Sequence, residues 1–199
     1  MKKHKPKDYN FADRADVYDS GLEGKLSRKF YNLIMKEIKL TSGAAVLDVG
    51  SGTGALLGML ANVHKIKGHG IDAEEKMLAV AKKNFPQMNF QSARCDKVPF
   101  GDKTFDAVIS CLSFHHFDNR EGFAKEAGRI LKPDGVLYIA DVCFPWLIRK
   151  ILNGIFRIAG RVGRFYSPKE IINHFTGEGF VNDSFTRESH AQIVMLRKL

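Results

Sequence analysis

The sequence predicts an α/β fold: a doubly wound, mostly parallel sheet of seven strands, with an N-terminal helix and a helical insert after the fifth strand. Three observations point to it. Short apolar runs bounded by turn residues alternate with longer segments whose apolar residues recur at helical spacing. The run Val46-Leu47-Asp48-Val49-Gly50-Ser51-Gly52-Thr53-Gly54 reads as a strand covered on both faces that breaks into a glycine-rich loop, with a helix from Ala55 to Ala61 behind it. At 199 residues and 44% hydrophobic, the chain can bury one sizeable core and needs no second domain.

The elements follow in order. Residues 24–40 carry Leu26, Phe30, Leu33, Ile34 and Ile38 at helical spacing and would cover one edge of the sheet. Residues 67–72 read as the second strand, and residues 74–84 as a helix with Met77, Leu78 and Ala81 on one face. Residues 88–94 alternate roughly as a third strand, and Phe105 to Cys111 is a fourth. Residues 122–131 form a helix stopped by Lys132-Pro133-Asp134-Gly135, because proline cannot continue it and glycine tolerates positive φ. Residues 135–141 make the fifth strand, residues 168–177 a helix, and residues 179–186 and 191–197 two closing strands.

Alternate glycines let backbone amides approach a ligand where a Cβ would collide, and the N-terminus of the next helix favours electronegative groups there. Two cofactor classes use such a loop. Gly50, Gly52 and Ala55 fit the dinucleotide fingerprint, with Asp72 at about the expected spacing of roughly 20 residues, so an NAD-dependent oxidoreductase is one reading. Asp48, two residues before the first glycine, would repel a pyrophosphate and suits a cationic ligand.

The full Asp48-x-Gly50-x-Gly52-x-Gly54 pattern resembles the glycine loop of class I S-adenosylmethionine-dependent methyltransferases, whose fold is Rossmann-like. The resemblance is strong over residues 44–142 and continues through Asp72 at the end of the second strand and the Asp96-Lys97-Val98-Pro99-Phe100 segment. It implies cofactor contacts at Asp48, Gly50, Ser51, Gly52 and Gly54, at Asp72, Ala73 and Met77, at Asp96 and Lys97, and at Cys111 and Leu112. In the family, the acid at Asp72's position accepts from the ribose hydroxyls, and Asp96 would meet the adenine amino group. Tyr18, in the stretch Asp13 to Asp19, resembles a residue with which small-molecule members close over the cofactor. The segment Leu112-Ser113-Phe114-His115-His116-Phe117 would rim the methyl-transfer site. His115 or His116 is a candidate general base, since histidine titrates near neutral pH. An adjacent pair alone lacks a ligand set, so no metal is expected.

By this resemblance the chain is a methyltransferase of the small-molecule, quinone-biosynthesis-like branch acting on an apolar or amphipathic acceptor. A module that holds the cofactor without turnover is a further alternative. Nucleobase amino methylation is disfavoured, because Ser110-Cys111-Leu112-Ser113-Phe114 stands where such enzymes carry Asn/Asp-Pro-Pro-aromatic.

Residues 1–40 make the N-terminal arm and helix, residues 44–142 the cofactor core, residues 144–166 a lid-like insert, and residues 167–199 the closing elements. The insert is amphipathic: Arg149, Lys150, Arg157, Arg161 and Arg164 accompany a broad apolar face, with no acid from Phe144 to Pro168. A lid packed on its own protein, a peripheral contact with an anionic membrane and a partner site all fit this composition. The net charge of +9 favours polyanions, yet no stacking motif or RNA-binding module appears. Nor does an obligate protein partner. Cys95, Cys111 and Cys143 lack metal or redox spacing and read as reduced packing residues. The basic start Met1 to Lys7 is not followed by an apolar run, and no long apolar span occurs, so the expected address is cytoplasmic.

Overall fold

The computed structural model describes residue 15, residues 18–160 and residues 163–199. Strands β1 (Ala44–Val49), β2 (Ile66–Asp72), β3 (Asn89–Ser92), β4 (Phe105–Cys111), β5 (Leu131–Val142), β6 (Phe180–Glu188) and β7 (Ala191–Lys198) form one sheet in the order β3-β2-β1-β4-β5-β7-β6. Pairings from β3 through β5 are parallel, and β7 runs antiparallel to both β5 and β6.

Strand parity assigns side chains to the two faces. Leu47, Val49, Val108, Leu137, Ile139, Val194 and Leu196 pack beneath α4 (Arg120–Ile130) and α6 (Pro168–Phe175). Their neighbours Val46, Ala107, Ile109, Tyr138, Ala140, Ile193 and Met195 pack beneath α1 (Leu22–Glu37), α2 (Ala55–Val63) and α3 (Glu75–Asn84). With helices on both faces, the central strands can be apolar at nearly every position. A sixth helix, α5 (Trp146–Ile158), buries none of its residues.

Local chemistry sets several boundaries. Asn119 accepts from the Gly122 amide at 2.9 Å and caps α4. At α6, Ser167 and Glu170 cap each other's backbone amides, with Pro168 in the first turn. The Lys132 to Gly135 turn differs from expectation: α4 ends at Ile130, and β5 already begins at Leu131, which pairs with Phe105. The turn is an irregularity within the strand, and pairing resumes at Ala107 opposite Val136, with Asp134 at φ 61°. The sheet order reverses between β1 and β4, the place where ligands bind at the carboxyl ends of strands in open α/β sheets.

Candidate active site

A cavity of about 270 Å³ opens there. Its floor is the glycine loop. The Gly50 and Ser51 amides both donate to the Ile71 carbonyl, at 2.8 and 3.0 Å, so the loop folds back over the end of β2. Gly50 sits at φ +82°, and a Cβ there would lie 2.4 Å from Ser113 Cβ. Gly54 opens α2 at φ +76°, where a Cβ would come within 2.8 Å of the Phe90 ring. Only glycine satisfies both backbone and space at these two positions.

Asp72 ends β2 and holds the loop open. Its Oδ2 accepts from the Gly52 amide at 2.8 Å and its Oδ1 from Glu74 at 2.9 Å. Each carboxylate oxygen retains capacity for a further donor. Burial raises the Asp72 pKa, and these backbone amides oppose the shift.

Of the residues singled out in the sequence, Gly50, Ser51, Gly52, Asp72, Ala73, Met77, Cys111, Leu112, Tyr18 and His116 lie on the cavity wall. Leu112 adopts φ 54°, an uncommon conformation for a leucine, immediately after β4. Tyr18 bonds the Ser27 hydroxyl at 3.2 Å, and Asp19 accepts from Thr53 at 2.9 Å, tying this arm to the glycine loop. Asp13, Arg14, Asp16 and Val17 of the arm, the basic residues 2–7, and Arg161 and Val162 of the insert lie outside the described residues.

The structure sets the remaining candidates off the wall. Asp48 shares strand parity with Val46 and so faces the helical layer beneath the cavity, at 2% exposure. Its Oδ1 has no hydrogen-bond partner among the described residues, and burial, with Asp72 nearby, pushes its pKa up to about 8. Gly54 lies behind the loop as the α2 cap. Asp96 is held by Arg94 Nε and Asn119 Nδ2, both at 2.9 Å, and these bonds lower its pKa. Lys97 is exposed. The wall here is built by Ala93, Arg94 and Cys95 instead.

The histidines divide. His116 faces the cavity, and His115 packs behind it, with ring centroids 3.9 Å apart. Asp141, at the end of β5, binds His115 twice: Oδ1 lies 2.6 Å from Nδ1 and Oδ2 accepts the His115 amide at 3.0 Å. An Nδ1–H donated to Asp141 leaves Nε2 of a neutral imidazole as an acceptor. Asp141 was missed in sequence, though its place at a strand's carboxyl end was a usable signal. Ser113 and Phe117, from the segment expected to rim the site, are on the wall, and Asp118, Tyr31 and Glu74 line it without having been singled out.

Wall electrostatics favour a cation. Asp72, Glu74 and Asp118 are acidic, and Arg94, already engaged by Asp96 and Asp118, is the one lysine or arginine on the wall among the described residues. A pyrophosphate would face net repulsion; an ammonium or sulfonium would not. No group of three or more His, Cys, Asp or Glu side chains suited to a metal occurs among the described residues.

Residues 47–139 match the methyltransferase domain family. The chain is 33% identical over 110 residues to a demethylmenaquinone methyltransferase of Chlorobaculum parvum, covering 55% of this chain and 46% of that protein. It is 32% identical over 190 residues to an uncharacterised protein of Methanocaldococcus jannaschii, covering 83% and 72%. The chain spans about half the length of the demethylmenaquinone methyltransferases of Chlorobaculum and Tropheryma that it matches. In fold it is similar to a Haloferax volcanii protein solved in complex with the Trm112 methyltransferase activator, with TM-score 0.83, 18% identity, and coverage of 96% and 99%. Glycine loop, strand-end acid, sheet order and family match agree: residues 47–139 form a methyltransferase domain of the class I S-adenosylmethionine-dependent type, similar in sequence to quinone-biosynthesis methyltransferases.

Proposed function

We propose that the chain methylates a small apolar or amphipathic acceptor of the reduced-quinone class, with S-adenosylmethionine as donor. The acidic wall around the glycine loop carries this reading, because it suits a cationic donor and opposes a dinucleotide pyrophosphate. The relatives named for demethylmenaquinone methylation support the acceptor class.

When bound, the donor supplies an already electrophilic methyl group, so alignment and water exclusion are the protein's main tasks. Asp72 would take the ribose hydroxyls on the lone pairs its two amide bonds leave open. Met77 would cover the adenine, and Tyr18 would close the arm side. At the other end, Ser113, His116 and Phe117 would border the acceptor. His116, on the cavity wall, would accept a proton from an acidic hydroxyl, with His115 held behind it by Asp141.

Incubation with methyl-labelled donor and a pool of phenolic, quinol, amine and nucleic-acid acceptors tests this. Label should appear on a quinol or phenol. Labelling confined to amines or to nucleic acid would overturn the acceptor class.

A further inference from the structure

The insert helix α5 is tied down on one side and bare on the other. Arg149 pairs with Glu170 of α6, and the Asn153 side chain makes two 2.9 Å bonds with the Phe165 backbone. Phe156 packs on the Phe165 ring, and that ring stacks on His115 at 5.5 Å. Two rings, Phe165 and His115, therefore link the inner face of α5 to His116 at the cavity.

The outer face has no such cover. Leu147, Ile151, Ile155 and Ile158 follow one another at four- and three-residue steps, which align them in one stripe of the helix. They are 60%, 54%, 53% and 85% exposed, and Ile148 beside them is 48% exposed. Lys150 and Arg157 stand seven residues apart along one border of this stripe, with Trp146. The Lys150 ammonium lies 4.3 Å from the Trp146 ring centre. No acidic residue occurs from 144 through 169.

We propose that this face is a peripheral docking surface for an anionic lipid bilayer. The isoleucines and Trp146 would enter the boundary between headgroups and acyl chains, and Lys150 and Arg157 would meet anionic headgroups. Charge selects this occupant. A second copy of α5 laid on the same face would bring two acid-free, basic surfaces together, whereas an anionic bilayer neutralises them. No helix among the described residues is long and apolar enough to cross a membrane, so attachment through α5 would rest on this one face. Docking would set the acceptor end of the cavity beside the bilayer, a consequence that rests on the proposed function; the docking itself does not.

Trp146 is the only tryptophan in the chain, so intrinsic emission reports directly on α5. Titration with phosphatidylcholine vesicles, with and without phosphatidylglycerol, should give a blue shift and quenching by brominated acyl chains with the anionic vesicles, weakening as salt rises. Lys150→Gln with Arg157→Gln should lower partitioning about thirty-fold, from roughly five-fold per surface cation. Ile151→Asp with Ile155→Asp should abolish the shift while S-adenosylhomocysteine affinity, measured separately, stays unchanged. Absence of an emission change at low salt, equal partitioning onto neutral vesicles, or a lipid-free blue shift that tracks protein concentration and a doubled mass would each overturn the proposal.

Discussion

Replacing Gly50 with alanine tests the loop geometry most sharply, because two independent penalties meet at one Cβ. The backbone sits at φ +82°, and placing an L side chain in the left-handed region costs about 1–2 kcal/mol. The added carbon would also stand 2.4 Å from Ser113 Cβ and 2.7 Å from its Oγ. Ser113 is not free to retreat, since its Oγ donates to the Val49 carbonyl at 2.8 Å and bonds Ser110 at 2.8 Å. Overpacking of this kind costs about 1–3 kcal/mol, so Gly50→Ala should lose roughly 2–5 kcal/mol in urea unfolding followed by circular dichroism. The two penalties are separable. Ser113→Gly removes the obstructing atoms but leaves φ unchanged, so the double variant should be more stable than additivity predicts by about 1–3 kcal/mol. A loss below about 1 kcal/mol for Gly50→Ala, or strict additivity, would refute the packing account of this loop.

Three further outcomes follow from the same structure. Burial holds the Asp48 pKa up near 8, against about 3.9 unfolded, so the folded state binds this proton more tightly. Its contribution to stability is full at and below pH ~4 and declines as pH rises through the folded value. Asp48→Asn should flatten that decline and exceed the parent's stability at pH ~9 in urea melts, and an unchanged slope would contradict it. His116→Ala should lower kcat about 10²-fold or more with little change in cofactor affinity, and Asp141→Asn should lower kcat less than His116→Ala does, by loosening His115 behind it; small, equal losses in both variants would remove the base role. Phe114 is fully buried among Phe117, Phe123 and Phe175, so Phe114→Ala should cost about 3–5 kcal/mol by calorimetric melting, and a loss under about 1 kcal/mol would contradict its core placement.

Features written in consecutive residues were legible in the sequence. The Gly50 to Gly54 loop, Asp72 at a strand end, and the alternating order of strands and helices are set by local backbone and periodicity, and the seven-stranded sheet follows from them. Features set by distant partners were not. Asp141 reaches His115 across 26 residues, and Ser113 meets Gly50 from another strand's loop. Asp48 lay between: motif spacing made it a cofactor candidate and strand alternation already groups it with Val46, but its unpartnered oxygen depends on neighbours outside β1. Composition identified α5 as amphipathic, but which face would be covered depended on Phe165 and Glu170, beyond the helix itself.

Calorimetric titration with S-adenosylmethionine, S-adenosylhomocysteine and NAD, on the parent and on Asp72→Ala, shows which cofactor the glycine loop and Asp72 hold. Both adenosyl ligands should bind saturably to the parent and at least ten-fold more weakly to Asp72→Ala, in line with loss of charge-assisted hydrogen bonds of about 1.5–3 kcal/mol, while NAD should not bind. Saturable NAD binding without adenosyl-ligand binding would contradict the account.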